Sequence, residues 1–315
     1  MWKEGILGVV VGDAVGCPVQ FESRSVVASH PVTDMRGNGT FNLPAGSWTD
    51  DSSLTLALLD SFIESSGIIA FKDIANKFVR WLEAGEYTPF GYAYDIGNGC
   101  YSGIKNYMRT GNPLSGESDE MNNGNGSLMR ILPACILYSD CADKGEIDYA
   151  ITAVECVSSI THAHKRARIA CGLYYFIVRS IINRKGDLNK VIQEGLDEGF
   201  AYYEDEHELE YFKRISYLDS FKHLPTDRIK SSGYVVDSLE AAIWCLANTS
   251  SYKEAILKAA SLGLDTDTIC AIAGGLAGLY YGIGGEKGIP QEWIDGLQRK
   301  DFVIGLCEAA DRELG

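Results

Sequence analysis

The sequence predicts an all-α fold, a compact orthogonal helical bundle, on three observations. Apolar residues recur at helical spacing in segment after segment. Convincing alternating strands are absent. The glycine- and alanine-rich run IAGGLAGLYYG falls inside one of the helical segments, where glycine serves close helix–helix approach rather than helix propensity. Along the chain, small residues at 5, 8, 12 and 16 mark a tightly packed first helix, with Asp13 either buried or at the mouth of a site. Residues 34–50 are a turn-rich loop. Residues 51–66 place apolar side chains on one helical face and stop before Gly67, and 71–83 do the same. Further helices are expected over 127–139, 147–160, 165–183, 187–199, 235–248, 252–262 and 267–282. The second half of 165–183 is apolar on most sides, as in a central helix. The loops 84–99 and 111–126, rich in Gly, Asn and Tyr, are long for a compact domain and read as functional. The charged stretch 201–232 reads as a peripheral, solvated excursion. No linker or repeat divides the chain, so residues 1–315 are expected to form a single domain.

Composition narrows the function. Of 315 residues, 46% are hydrophobic and 23% charged, enough for a sizeable core. The formal net charge is −15 and the isoelectric point about 4.8. Such a chain repels nucleic-acid phosphate and anionic membranes, so neither general nucleic-acid binding nor membrane association is expected. Nine scattered cysteines with no CxxC pair read as small buried hydrophobes in a reducing cytosol. No signal peptide and no membrane span is legible. A cytoplasmic monomer is expected.

Five constellations could carry chemistry. Thr49, Asp50 and Asp51 are consecutive oxygen donors before a long apolar helix, suited either to capping or to a hard cation. Asp265-Thr-Asp-Thr, residues 265–268, repeats that arrangement near the other end of the chain. Two such clusters are better explained by one shared metal site than by two caps. Asn123-Gly-Asn-Gly-Ser-Leu-Met-Arg opens a helix with backbone N–H groups that suit phosphate, without the sequence of a P-loop. Asp13 is the fourth. Thr161-His-Ala-His is the fifth: histidines at i and i+2 do not share a helix face, so His162 is expected to contact ligand and His164 to lie on the surface. No GxSxG, HExxH or cysteine–histidine signature is present.

Taken together, GVVVGDAVGCPVQF, GSWTDDSSLTLALLDSF, YDIGNG, NGNGSLMRILP, SSITHAH, SGYVVDSLEAAIW and LDTDTICAIAGGLAGLYYG, followed by IPQEW, resemble the ADP-ribosylglycohydrolase family, in the family's order and from about residue 5 to 295. The GYVVDSLEAA and YDIGNG segments look closest to the bacterial dinitrogenase-reductase-activating branch, which removes ADP-ribose from arginine. The resemblance implies an all-α bundle with a binuclear Mg2+ or Mn2+ centre in a cleft. Thr49, Asp50, Asp51, Asp265, Asp267 and Thr268 would be its ligands. Asn125, Gly126, Ser127 and Met129 would cradle the diphosphate and ribose, His162 would contact the ADP-ribose, and Tyr234 would pack near its ribose or adenine. Asp95, Asp51 and Asp267 would be catalytic, with Asp95 the carboxylate base. The implied partner is an ADP-ribosylated protein, with ADP-ribose the product.

Two departures from the family pattern stand out. Gln20 occupies a position where many members have glutamate, with Glu22 expected to point elsewhere on a helix. Leu264 replaces the second glycine before Asp265 and is expected to crowd the backbone beside the metal. The alternatives are hydrolysis of ADP-ribose from another acceptor (a nucleic-acid base, another side chain or a small metabolite) and a non-catalytic, crystallin-like relative.

Overall fold

In the computed structural model, which describes residues 1–184 and 186–315, fifteen α-helices run among the described residues with no sheet. They are α1 (Trp2–Gly16), α2 (Arg24–Ser29), α3 (Asp50–Glu64), α4 (Phe71–Ala84), α5 (Asn98–Thr110), α6 (Leu132–Leu137), α7 (Lys144–Ser159), α8 (Lys165–Asn183), α9 (Leu188–Tyr202), α10 (Leu218–Phe221), α11 (Val235–Ala247), α12 (Tyr252–Ala260), α13 (Thr266–Tyr281), α14 (Gln291–Gly296) and α15 (Lys300–Glu313). No helix among the described residues is long and apolar enough to cross a membrane.

The centre is the pair α1 and α13, antiparallel and apolar on all sides. Small residues let them touch backbone to backbone. A Cβ built on Gly8 would lie 2.2 Å from the Gly274 carbonyl oxygen, and one on Gly274 would lie 2.2 Å from that of Gly8. Gly12 faces Cys270, and Gly16 faces Thr266 and Asp267, in the same way. The predicted small-residue stripe therefore has its partner in the glycine-rich run. Tyr252 closes the seam by donating its hydroxyl to the Gly8 carbonyl at 2.7 Å. The antiparallel pairing also sets the end of α1 beside the start of α13, and so brings Asp13 to Asp267.

The remaining helices wrap this pair. α3 and α15 pack on α1, while α11 and α12 cover α13. α8, with nearly every residue from Ile169 to Val178 buried, is flanked by α7 and α9.

Several boundaries differ from expectation. The segment 127–139 is not one helix but a 3-10 turn (Leu128–Arg130) followed by α6, which starts with Pro133 in its first turn. α5 and α15 were not expected. Their buried stripes are Cys100, Gly103, Ile104 and Tyr107, and Val303, Cys307 and Ala310. Both are helical in spacing but built partly from residues that carry little hydrophobic signal. The 201–232 excursion is anchored rather than solvated throughout, with Tyr203, Phe212, Ile215, Leu218, Phe221 and Ile229 all buried. Glu22 is not on a helix; it follows the 3-10 turn Cys17–Val19 and pairs its backbone with Leu264.

Candidate active site

Helices α3 and α13 begin at the same place. The N-cap of α3 is Thr49, and the link to α1 is Asp13, which is fully buried. Its Oδ1 and Oδ2 accept from the Thr49 N–H at 3.0 Å, its Oδ2 accepts from the Ser52 N–H at 3.0 Å and the Ser52 hydroxyl at 2.5 Å, and Thr49 Oγ1 lies 3.0 Å from Oδ1. Asp13 is thus a satisfied carboxylate that fixes the first turn of α3 against α1. Burial nevertheless raises its pKa to about 7, against those hydrogen bonds.

The two aspartate clusters from opposite ends of the chain line one cavity of about 360 Å³. Asp50 and Asp51 come from α3 and Asp265, Asp267 and Thr268 from the start of α13, and Asp95 and Gln20 line the same cavity. The opposite wall is the glycine-rich loop with Asn125, Gly126 and Met129, together with Gly99, Cys100 and His162. Phe21 and Met121 stand exposed at the mouth. A larger groove of about 940 Å³, lined by Glu155, Tyr202 and Tyr203 among others, lies elsewhere on the surface and contains none of these groups.

The cavity is electrostatically incomplete. Asp51 Oδ1, both carboxylate oxygens of Asp267, Asp95 Oδ2 and Gln20 Oε1 are buried without a hydrogen-bond partner. Desolvation, and then mutual repulsion among these carboxylates and Asp13, pushes Asp50, Asp51 and Asp267 well above the ordinary carboxylate range. Burial likewise raises Asp95, and raises Asp265 to about 6 although Asn125 donates to it. Two helix N-termini offer some compensation, but unpaired buried carboxylates must take up protons or a cation. The donor set, carboxylates plus hydroxyls, is that of a hard divalent cation. Among the described residues no three His, Cys, Asp or Glu side chains already stand as a finished cage. The cluster nevertheless offers buried, unpaired carboxylate oxygens on Asp51 and Asp267, which fit such an ion in chemistry.

The other predicted residues fall into two groups. Asn125 is a hub: its Nδ2 donates to Ser238 Oγ at 2.8 Å and Asp265 Oδ2 at 2.5 Å, and its N–H donates to the Gly233 carbonyl. His162 is buried at the cavity wall, its pKa pushed down to about 3 by desolvation and the nearby Arg130 charge. Asp95 takes a left-handed backbone, φ 53°, which aspartate tolerates better than most residues. By contrast, three side chains stand back from the cavity. Thr49 is engaged with Asp13. Ser127 is buried against Ser158 Oγ at 2.8 Å and beside Cys171. Tyr234 sits behind the wall, its hydroxyl accepting from Arg166 at 3.1 Å. His164 is half-buried rather than simply on the surface, and caps α8 by accepting the Arg166 N–H at 3.1 Å.

Leu264 does not crowd the cluster: its side chain is 45% exposed. What the position demands is a positive φ, 63°, directly after Gly263 at 71°. That is the reason a glycine suits it. Gln20, singled out as a departure from the family pattern, lines the cavity; sequence reasoning passed over Cys100 as a cavity wall, and over Thr161 and Arg130 behind His162, although both of the latter lie inside motifs it had singled out.

The family model for ADP-ribosylglycohydrolases matches residues 3–314. A protein from Pseudomonas putida named ADP-ribosylarginine hydrolase Tri1 is 35% identical over 97% of this chain and 76% of its own length. The ADP-ribosyl-[dinitrogen reductase] glycohydrolase of Rhodospirillum rubrum is 29% identical over 93% of this chain and 89% of its own. A solved structure described as an ADP-ribosylglycohydrolase-related protein complex superposes with a TM-score of 0.80 at 26% identity, covering 100% of this chain and 98% of that one.

Proposed function

The chain belongs to the ADP-ribosylglycohydrolase family and is a hydrolase of that type, and we propose that its reaction is removal of ADP-ribose from arginine of a modified protein, at a binuclear Mg2+ or Mn2+ centre in the acidic cavity. The observation that carries this reading is the meeting of Asp50 and Asp51 with Asp265 and Asp267 in one cavity, with Asp51 Oδ1 and both oxygens of Asp267 buried and unpaired. The name of the Pseudomonas relative supports arginine as the acceptor.

Thr49, Asp50, Asp51, Asp265, Asp267 and Thr268 would hold the metal, Thr49 after releasing its contact with Asp13. When bound, the cations supply Lewis-acid polarisation and the positive charge that the carboxylates lack. The glycosidic bond from C1″ of the ribose to the guanidine nitrogen breaks through an oxocarbenium-like state. A water oxygen bonds to C1″. Asp95, its pKa raised by burial and so a better base near neutrality, takes a proton from that water. The leaving guanidine takes one from solvent. Asn125, Gly126 and Met129 hold the diphosphate and ribose through the loop, with Ser127 contributing backbone alone. His162 contacts the ADP-ribose, and Tyr234 orders the wall behind it. We read the chain as one domain, monomeric and cytoplasmic.

The test is release of free ADP-ribose from an arginine-ADP-ribosylated protein, with Mg2+ and after chelation, by wild type and Asp267→Ala. Metal-dependent release that the substitution abolishes is expected. No release by folded, metal-loaded protein would reject arginine as the acceptor.

A further inference from the structure

Arg130 is fully buried, and nothing in the reaction above uses it. It ends the 3-10 turn that follows the Asn125–Ser127 loop. Its Nη2 donates to Thr161 Oγ1 at 2.8 Å and, weakly, to the Val157 carbonyl at 3.4 Å. Nε and Nη1 have no partner, and the ring of Phe78 lies 4.7 Å from the guanidinium carbon. A guanidinium placed in a core at this cost does not shed its proton. No carboxylate pairs with it among the described residues, and burial pushes its pKa down, opposed only by the Cys100 and Cys171 thiols. Cys100 feels both Asp50 and Arg130, and His162 feels Arg130.

His162 lines the cavity. Its Nδ1 lies 2.8 Å from Thr161 Oγ1. Its Nε2 edge sits among three glycines of the cavity lining: a Cβ on Gly99 would be 2.5 Å from Nε2, one on Gly126 3.2 Å and one on Gly124 3.4 Å. The ring is therefore held in place from both edges.

The donors and acceptors around Thr161 then favour one tautomer. Arg130 has only donors, so Thr161 Oγ1 accepts from it. The threonine's single hydrogen has two acceptors in reach, His162 Nδ1 and the sulfur of Cys100. Donation to sulfur would leave Oγ1 to accept from an Nδ1–H as well as from Arg130, but the imidazole nitrogen is much the stronger acceptor of the threonine hydrogen. The electric field agrees, since the Arg130 cation on the Nδ1 side favours a lone pair there. We infer that Arg130, acting through Thr161, holds His162 as the neutral Nε2–H tautomer, so that the ring presents a fixed hydrogen-bond donor to the cavity. Arg130 and Thr161 are positioning residues. A donor at that point suits a phosphate or ribose oxygen, a ligand assignment that rests on the function proposed above; the tautomer does not.

The experiment is a long-range 15N–1H correlation spectrum of histidine-labelled full-length protein at neutral pH. The chain has five histidines, and the His162 signals are those that vanish in His162→Gln. ADP-ribose binding is measured in parallel by calorimetry. Wild type is expected to show hydrogen on Nε2 and an unprotonated, hydrogen-bonded Nδ1. Thr161→Val should lose the single tautomer and weaken ADP-ribose binding about tenfold, the size of one hydrogen bond. Thr161→Ser should restore both. Hydrogen on Nδ1 in wild type, or an unchanged tautomer in a folded Thr161→Val, overturns the inference. The wild-type spectrum decides even if the valine variant does not fold. An Nε2–H tautomer in a protein that binds no ADP-ribose would uphold the inference and reject the ligand reading instead.

Discussion

Replacing Gly8 with alanine sets two effects of opposite sign against each other. Alanine favours a helix interior over glycine by up to about 1 kcal/mol, so on propensity alone Gly8→Ala stabilises α1. The added Cβ, however, would stand 2.2 Å from the Gly274 carbonyl oxygen and 3.2 Å from the Gly278 Cα. These are backbone atoms of the facing helix, so no side chain can swing aside. Restoring contact distance means moving α1 off α13 by roughly 1 Å, and strain of this kind in a packed core costs about 1–3 kcal/mol or more. The further close approaches at Gly12 and Gly16 spread the disturbance along the seam. A net destabilisation of about 1–2 kcal/mol follows, read as a lower urea midpoint with an unchanged m-value and as a fall in Tm of roughly 2 °C per kcal/mol in a chain of this size. Gly305→Ala is the control: that glycine is an exposed position of α15 with nothing within 4 Å of its Cβ site, and its substitution should stabilise. A Gly8→Ala protein as stable as wild type would refute the reasoning, because the seam would then be loose enough to absorb a methyl group.

Other perturbations probe the cavity. Asp267→Asn removes a buried, unpartnered carboxylate, so without metal it should raise Tm, while added Mg2+, expected to stabilise wild type, should no longer do so; a lower metal-free Tm would count against an electrostatically frustrated cluster. Asp13 and Asp265 have folded pKa values raised to about 7 and about 6. Their contribution is fully present below about pH 4, the unfolded value, and is lost as pH rises through 6 to 7. Metal-free protein should therefore melt lower at pH 8 than at pH 5.5, and saturating Mg2+ should flatten the difference; thermal melts with and without chelator measure it. His162 works oppositely, losing stability as pH falls from its unfolded value near 6.5 towards 3, but it is one group against several carboxylates. The same linkage predicts that Mg2+ binding releases protons near neutrality, seen by calorimetry in buffers of different ionisation enthalpy; no buffer dependence would contradict the raised carboxylates. Leu264→Gly relieves a left-handed backbone and should stabilise by about 0.5–1 kcal/mol, measured by denaturant titration.

Sequence alone was enough for the helical class, for the tight glycine seam, and for the two aspartate clusters that line the cavity. Period and donor chemistry are local properties: the stripe at 5, 8, 12 and 16 and the paired Asp/Thr clusters can each be read within a few residues. α5 and α15 escaped because their buried faces use cysteine, glycine and alanine, whose hydrophobic signal is faint. Other features are decided only by tertiary structure. The meeting of Asp51 with Asp267 depends on the antiparallel seam of α1 and α13 and on Asp13 reaching across it to α3, and no spacing in the chain encodes that distance. The withdrawal of Ser127 into the core, the left-handed turn that makes Leu264 a backbone problem rather than a metal problem, and the charge of Arg130 behind His162 likewise come from which backbones pack together. Burial and field, which set the proton positions of these groups, exist only once the chain has closed on itself.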